Sequence, residues 1–159
     1  MRALVTGGAI RLGREIALYL AKQGFDVAVH YAGSAEAAHD TVAEVQAMGR
    51  RSVALQADLL TDDGSQPLIA RASDGLSGDL TLLVNNASIF EYDTIETATR
   101  SSWDRHMESN LRAPFVLTQE FASQAPKGGI DEMGEPIAQA LVVNLLDQRV
   151  RKLTPDFMS

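Results

Sequence analysis

The sequence has no cysteine, only three histidines (His30, His39 and His106), and 14 basic residues against 21 acidic ones in 159. Without cysteine there is no disulfide framework, no thiolate nucleophile and no thiolate-held metal. The histidines are too scattered along the chain to suggest a zinc site, so no metal is expected. A net charge of −7 works against a nucleic acid or an anionic membrane as partner. No apolar run reaches the length of a membrane span, and Met1 leads straight into a strand-like segment without a leader pattern. The expectation is a cytoplasmic protein. What is present is the mix of an ordinary folded chain, with 45% hydrophobic and 22% charged residues, which excludes disordered and fibrous classes. The length suits one domain, residues 1–159.

The charge is uneven. Residues 1–50 balance five acids with five bases, residues 51–110 hold ten acids against four bases, and residues 111–159 hold six against five. The acidic middle third reads as a solvated loop and helix surface. Hydrophobic patterning alternates between two kinds of segment. Ala3-Leu4-Val5, Val27-Ala28-Val29, Ser52-Val53-Ala54-Leu55, Leu80-Thr81-Leu82-Leu83-Val84 and Ala140-Leu141-Val142-Val143 are short apolar runs, the mark of strands covered on both faces. Between them lie helical stretches at residues 12–23, 35–48, 66–73 and 100–125, the last broken near Pro114. Gly24 and Gly49 close the first two, and residues 127–136 read as a loop. Five strands alternating with helices predict an α/β fold, a Rossmann-like doubly wound parallel sheet. Trp103 is expected to pack in its core.

The first strand runs into Thr6-Gly7-Gly8-Ala9-Ile10-Arg11-Leu12-Gly13 and then a helix. A strand, a glycine turn and a helix N-terminus make an anion site, because unpaired N–H groups and the helix dipole face the ligand. Strict G-x-G-x-x-G spacing is absent. Thr6-Gly7-x-x-x-Arg11-x-Gly13 nevertheless resembles the cofactor turn of the short-chain dehydrogenase/reductase family. Arg11, where most members carry glycine, makes it resemble the pteridine reductase branch. The resemblance implies strand order 3-2-1-4-5, with the family's later strands missing. It implies that Thr6, Gly7, Arg11, Leu12 and Gly13 hold the cofactor pyrophosphate, and that Arg11 also reaches a bound pterin.

The second strand ends His30-Tyr31-Ala32-Gly33-Ser34, with no acid before Glu36. A carboxylate there would accept from a ribose 2′-hydroxyl and repel a 2′-phosphate, so its absence points to NADP (NADPH). Ser34 matches the serine with which the pteridine reductase branch binds that phosphate, while Gly33 departs from the arginine often beside it. His30 and Tyr31 are further candidate cofactor contacts. Asp58 and Leu59 resemble the family's adenine contact. Leu83-Val84-Asn85-Asn86-Ala87-Ser88 is the strongest local match, and it assigns Asn86, Ala87 and Ser88 to the cofactor side of the crevice. Ser88 and Phe90 match the residues lining the pterin, where an aromatic ring can stack on a flat heterocycle. Asn110 matches the catalytic asparagine. Asp147 stands where most members carry the catalytic serine and the pteridine reductase branch carries aspartate, as both substrate contact and member of a proton relay.

The family's proton donor is a tyrosine in a Tyr-x-x-x-Lys helix, thirteen residues after the position of Asp147. That count reaches 160, and the sequence ends at Ser159. Tyr19, Tyr31 and Tyr92 are followed four residues later by Gln23, Ala35 and Glu96, so none forms the motif. The expectation is a sequence cut short before its proton donor. The implied function is an NADPH-dependent reductase delivering hydride to a pterin or folate-like substrate, in a homotetramer or homodimer. A carbonyl or 3-oxoacyl-carrier-protein reductase is the alternative within the family. A catalytically inactive nucleotide-binding module is the alternative outside enzymes.

Overall fold

The computed structural model describes residues 1–147. Its centre is a five-stranded parallel sheet made of β1 (Arg2–Val5), β2 (Asp26–Tyr31), β3 (Ser52–Gln56), β4 (Leu82–Asn85) and β7 (Leu141–Asn144). Their order is β3-β2-β1-β4-β7. This is the expected 3-2-1-4-5 arrangement. The fifth sheet strand is the seventh in the chain because a two-stranded hairpin, β5 (Gly129–Ile130) and β6 (Pro136–Ile137), occupies the stretch read as a plain loop. That hairpin is too short to show a period-2 pattern, and Asp131 builds its turn by accepting from the N–H groups of Met133 and Glu135, both at 2.8 Å.

Alternate strand residues feed two cores, as the pleat requires. On one face Ala3, Val5, Val27, Val29 and Val84 pack against α1 (Arg11–Lys22) and α2 (Ala35–Ala47). On the other, Leu4, Ala28 and Leu83 meet α4 (Leu68–Leu76) and α6 (Ala113–Gln124). A four-residue helix, α3 (Asp62–Ser65), precedes α4. Helices on both faces explain why the strands are apolar throughout. At the start of β2, buried Asp26 accepts from the backbone of Arg51 at 2.9 Å and from the guanidiniums of Arg50 and Arg51 at 3.1 Å. Burial would raise its carboxyl pKa, but those donors outweigh burial and hold it below its ordinary value.

The long helical stretch divides earlier than expected. α5 (Arg100–Met107) opens on a capping box between Thr99 and Ser102. A π turn at Glu108–Arg112 joins it to α6. Pro114 does not break the helix, because it sits in the first turn of α6, where the missing N–H costs nothing. Trp103 is another correction: it is 52% exposed on α5 rather than in the core. No helix among the described residues is long and apolar enough to cross a membrane.

Candidate active site

The carboxyl ends of β1, β2, β4 and β7 bring most of the candidate residues to one edge of the sheet. Such crevices are where open α/β sheets bind ligands. After β1 the chain makes a tight turn with Gly7 at φ 61°, a conformation that costs glycine little and other residues more. Gly13, in the first turn of α1, packs on it so closely that a Cβ there would stand 2.1 Å from the Gly7 carbonyl oxygen.

Thr6 and Asn86 lock this turn to the end of β4. The Thr6 hydroxyl donates to the Val84 carbonyl at 3.2 Å and accepts from the N–H groups of Asn86 and Ala87, both at 2.9 Å. The Asn86 amide donates to the carbonyls of Thr6 at 2.8 Å and Gly7 at 3.2 Å. Asn85, just before, donates to Asn144 Oδ1 at 2.8 Å and ties β4 to β7. The paired asparagines therefore do the work of an irregular strand end.

The helix behind the turn fits an anionic ligand. Ile10 at its N-cap gives no side-chain cap, and its first turn carries no acid, so its leading N–H groups are left to a ligand. Arg11 lies in the left-handed region at φ 49° and is exposed. Leu12 is also exposed. Ser34 stands at the N-cap of α2 without using its hydroxyl as a cap. Nearby, the Tyr31 ring lies against His39, with centroids 6.5 Å apart.

Two candidates are placed inside the fold. His30 is 2% exposed. Its Nδ1 accepts from the Gly7 N–H at 3.0 Å, and its Nε2 faces the Ala57 carbonyl at 3.2 Å. These contacts make it the floor of the glycine turn, neutral and protonated on Nε2. Burial pushes its pKa down to about 4, against the opposing bond to Ala57 and with help from Arg71. Leu59 is buried in the second core, and Asp58 beside it is exposed and accepts from the Leu60 N–H at 3.0 Å.

On the far side, the segment after Ala87 crosses to the π turn. The amide of Asn110 pairs with the backbone of Ile89 twice, accepting from its N–H and donating to its carbonyl, each at 2.9 Å. The widened π turn explains an asparagine inside a helical run: it carries the loop. Ser88 and Phe90 lie on that loop and are exposed, as is Asp147 after β7. Sequence reasoning missed the other groups that hold the loop. Ser102 donates to Asp93 at 3.2 Å, Arg105 pairs with Glu91 at 2.9 Å, and His106 accepts from the Glu91 N–H at 3.0 Å. The spacing of Ser102, His106 and Asn110 along one helical run was the available signal.

A separate open cavity of about 370 Å³ lies between the loop after β3 and the π turn, lined by Leu60, Thr61, Asp62, Asp63, Glu108 and Arg112. Within it Arg112 pairs with both Asp62 and Glu108, and the three carboxylates outnumber the one guanidinium. None of the glycine-turn residues lines it.

Residues 1–130 match the family model described as short chain dehydrogenase. A 3-oxoacyl-[acyl-carrier-protein] reductase of Staphylococcus aureus is 38% identical over 122 residues, 77% of this chain and 49% of that one. Among solved structures, the FolM alternative dihydrofolate reductase 1 of Brucella suis, in complex with NADP, superposes with a TM-score of 0.86 at 37% identity. That match covers 98% of this chain and 60% of that one. A short chain dehydrogenase of Burkholderia cenocepacia, also in complex with NADP, gives a TM-score of 0.86 at 33% identity, covering 99% and 59%. The chain thus spans about half the length of the curated relatives it matches.

Proposed function

The chain belongs to the short chain dehydrogenase family, and from that premise we propose that it forms the cofactor side of an NADPH-dependent reductase acting on a pterin or folate-like ring. The free N–H groups at the start of α1 and the Gly7 turn bind the pyrophosphate. Arg11 and Thr6 flank it, with Gly13 and Leu12 behind. The Ser34 hydroxyl takes the 2′-phosphate, and Asp58 lies at the adenine end. His30 supports the turn from below rather than touching the cofactor. NADPH, when bound, supplies the hydride.

The residues of this chain then orient the acceptor. Asn86, Ala87 and Ser88 form the edge beside the nicotinamide. Phe90 offers a face for a flat ring, Asp147 offers a carboxylate to its polar edge, and Asn110 holds the loop that carries Ser88 and Phe90. The observation that carries the pterin reading is Arg11. It is held at φ 49°, exposed, beside the phosphate turn, and it has no carboxylate partner among the described residues. A guanidinium kept there can bridge a phosphate and a substrate oxygen. The likeness to an alternative dihydrofolate reductase supports the same substrate class.

The similarity to a 3-oxoacyl-carrier-protein reductase favours the alternative of a carbonyl substrate. Comparing NADPH oxidation with dihydrobiopterin or dihydrofolate against acetoacetyl thioesters separates the two. The pterin reading expects faster turnover of the heterocycles, and faster thioester reduction rejects it. Self-association belongs to the same proposal. Trp103, Met107, Leu111 and Phe115 recur every four residues along α5, the π turn and α6, and all are exposed. A stripe of this kind suits a second copy of the same helix, in a homodimer or homotetramer.

A further inference from the structure

Phe90 is pinned on both sides. The residue before it, Ile89, is held by Asn110 at 2.9 Å through both backbone groups. The residue after it, Glu91, donates its N–H to His106 Nε2 at 3.0 Å. His106 is 7% exposed, and its Nδ1 lies 2.8 Å from the Ser102 carbonyl. A carbonyl only accepts and a backbone N–H only donates. The ring must therefore carry its proton on Nδ1 and present a lone pair on Nε2. Phe90 itself stays 53% exposed, while its backbone is fixed at both neighbours.

We propose that His106 is a positioning residue for the substrate, the acceptor that completes a two-point clamp around Phe90 and sets the ring's stacking face. This rests on the reading of the crevice as a substrate site. Removing the acceptor leaves the Glu91 N–H without this partner, and the loop escapes on one side of Phe90. The Arg105–Glu91 ion pair cannot replace it. Its side chains are nearly half exposed, and such pairs hold geometry weakly.

The test compares His106→Leu, His106→Gln and Arg105→Ala. Leucine removes the acceptor, glutamine keeps one, and the arginine change removes only the ion pair. The expected result for His106→Leu is a KM for the dihydropterin raised about tenfold, the loss of one hydrogen bond plus an unsatisfied donor. Its kcat and its NADPH affinity stay within about twofold, the pattern of lost substrate binding. Glutamine restores most of the KM, and Arg105→Ala leaves it unchanged. Amide exchange in residues 89–93 speeds up only in the leucine variant. An unchanged KM with unchanged exchange overturns the proposal. So does a parallel loss of KM, kcat and NADPH affinity that glutamine does not rescue. If the leucine variant does not fold, the nitrogen-15 shifts of His106 in the wild type still decide. An Nδ1–H tautomer supports the clamp and an Nε2–H tautomer overturns it. These kinetics are read on the whole protein that carries this chain together with the family's proton donor; its failure to turn over either substrate class would reject the substrate reading, while exchange and tautomer would still judge His106.

Discussion

Gly13→Ala places one methyl group where α1 meets the phosphate turn. Its carbon would lie 2.1 Å from the Gly7 carbonyl oxygen, 2.6 Å from Asn86 Nδ2 and 2.8 Å from the Gly7 carbonyl carbon. An unstrained carbon–oxygen contact needs roughly 3.3 Å, so the turn must retreat by about 1.2 Å. The atoms in the way are backbone, plus an amide that itself bridges Thr6 and Gly7, so no flexible side chain can give way. Overpacking of this kind costs about 1–3 kcal/mol, and the strained Asn86 bonds add about 1 kcal/mol. For a domain of this size a loss of about 2–4 kcal/mol lowers Tm by roughly 5–12 °C. The retreat also moves the N–H groups that face the pyrophosphate. A fall in NADPH affinity of about 100-fold, or about 2.7 kcal/mol, is expected. Fluorescence titration with NADPH and a thermal melt measure both. Gly24→Ala is the control. It also has a positive φ, 91°, but a Cβ there meets nothing within 4 Å. It should cost about 1 kcal/mol of stability and leave NADPH affinity alone. Wild-type affinity and melting in Gly13→Ala would refute the contact between turn and helix.

Three further outcomes follow from the same geometry. His30 has a folded pKa of about 4 against an ordinary 6.5, so between those values the unfolded chain binds the extra proton and stability rises with pH. Denaturant melts should show about 3 kcal/mol lost between pH 7 and pH 4, a dependence that His30→Phe removes. Asp26, whose folded pKa is lowered, adds its own loss only at still lower pH, below the ordinary carboxylate value. Arg11→Gly relieves a left-handed arginine, so Tm should rise by the equivalent of about 0.5–1 kcal/mol while NADPH affinity falls; a lower Tm would contradict the strained placement. Phe115→Glu, in the middle of the exposed apolar stripe, should yield a smaller species in light scattering with NADPH affinity retained. An unchanged assembly would remove the stripe from the interface.

Strand and helix order was legible because both faces of the sheet are covered. That makes Leu4, Ala28 and Leu83 as apolar as Val5, Val27 and Val29, and the runs stand out from the amphipathic helices. The glycine turn was legible because Gly7 and Gly13 answer to local sterics. Less legible was anything set by tertiary contact. Trp103 looks like a core residue by size, yet its position on α5 turns it outward. Pro114 looks like a helix breaker, yet it falls where a helix tolerates proline, and the real interruption is the π turn around Asn110. His30 sits at a strand end where a cofactor contact is plausible, but its ring turns under Gly7 because Ala57 supplies an acceptor there. His106 belongs to no motif and shows only in its four-residue spacing with Ser102 and Asn110. Its partner, the Glu91 N–H, is a backbone group whose approach depends on the whole crossing of the loop.

The most direct test of the cofactor assignment is a paired titration of the protein with NADPH and NADH, repeated on Ser34→Asp. The account predicts at least about tenfold tighter binding of NADPH, a difference of about 1.4 kcal/mol, and a reversal of that preference when the carboxylate at position 34 meets the 2′-phosphate. Equal or tighter binding of NADH by the wild-type protein would contradict it.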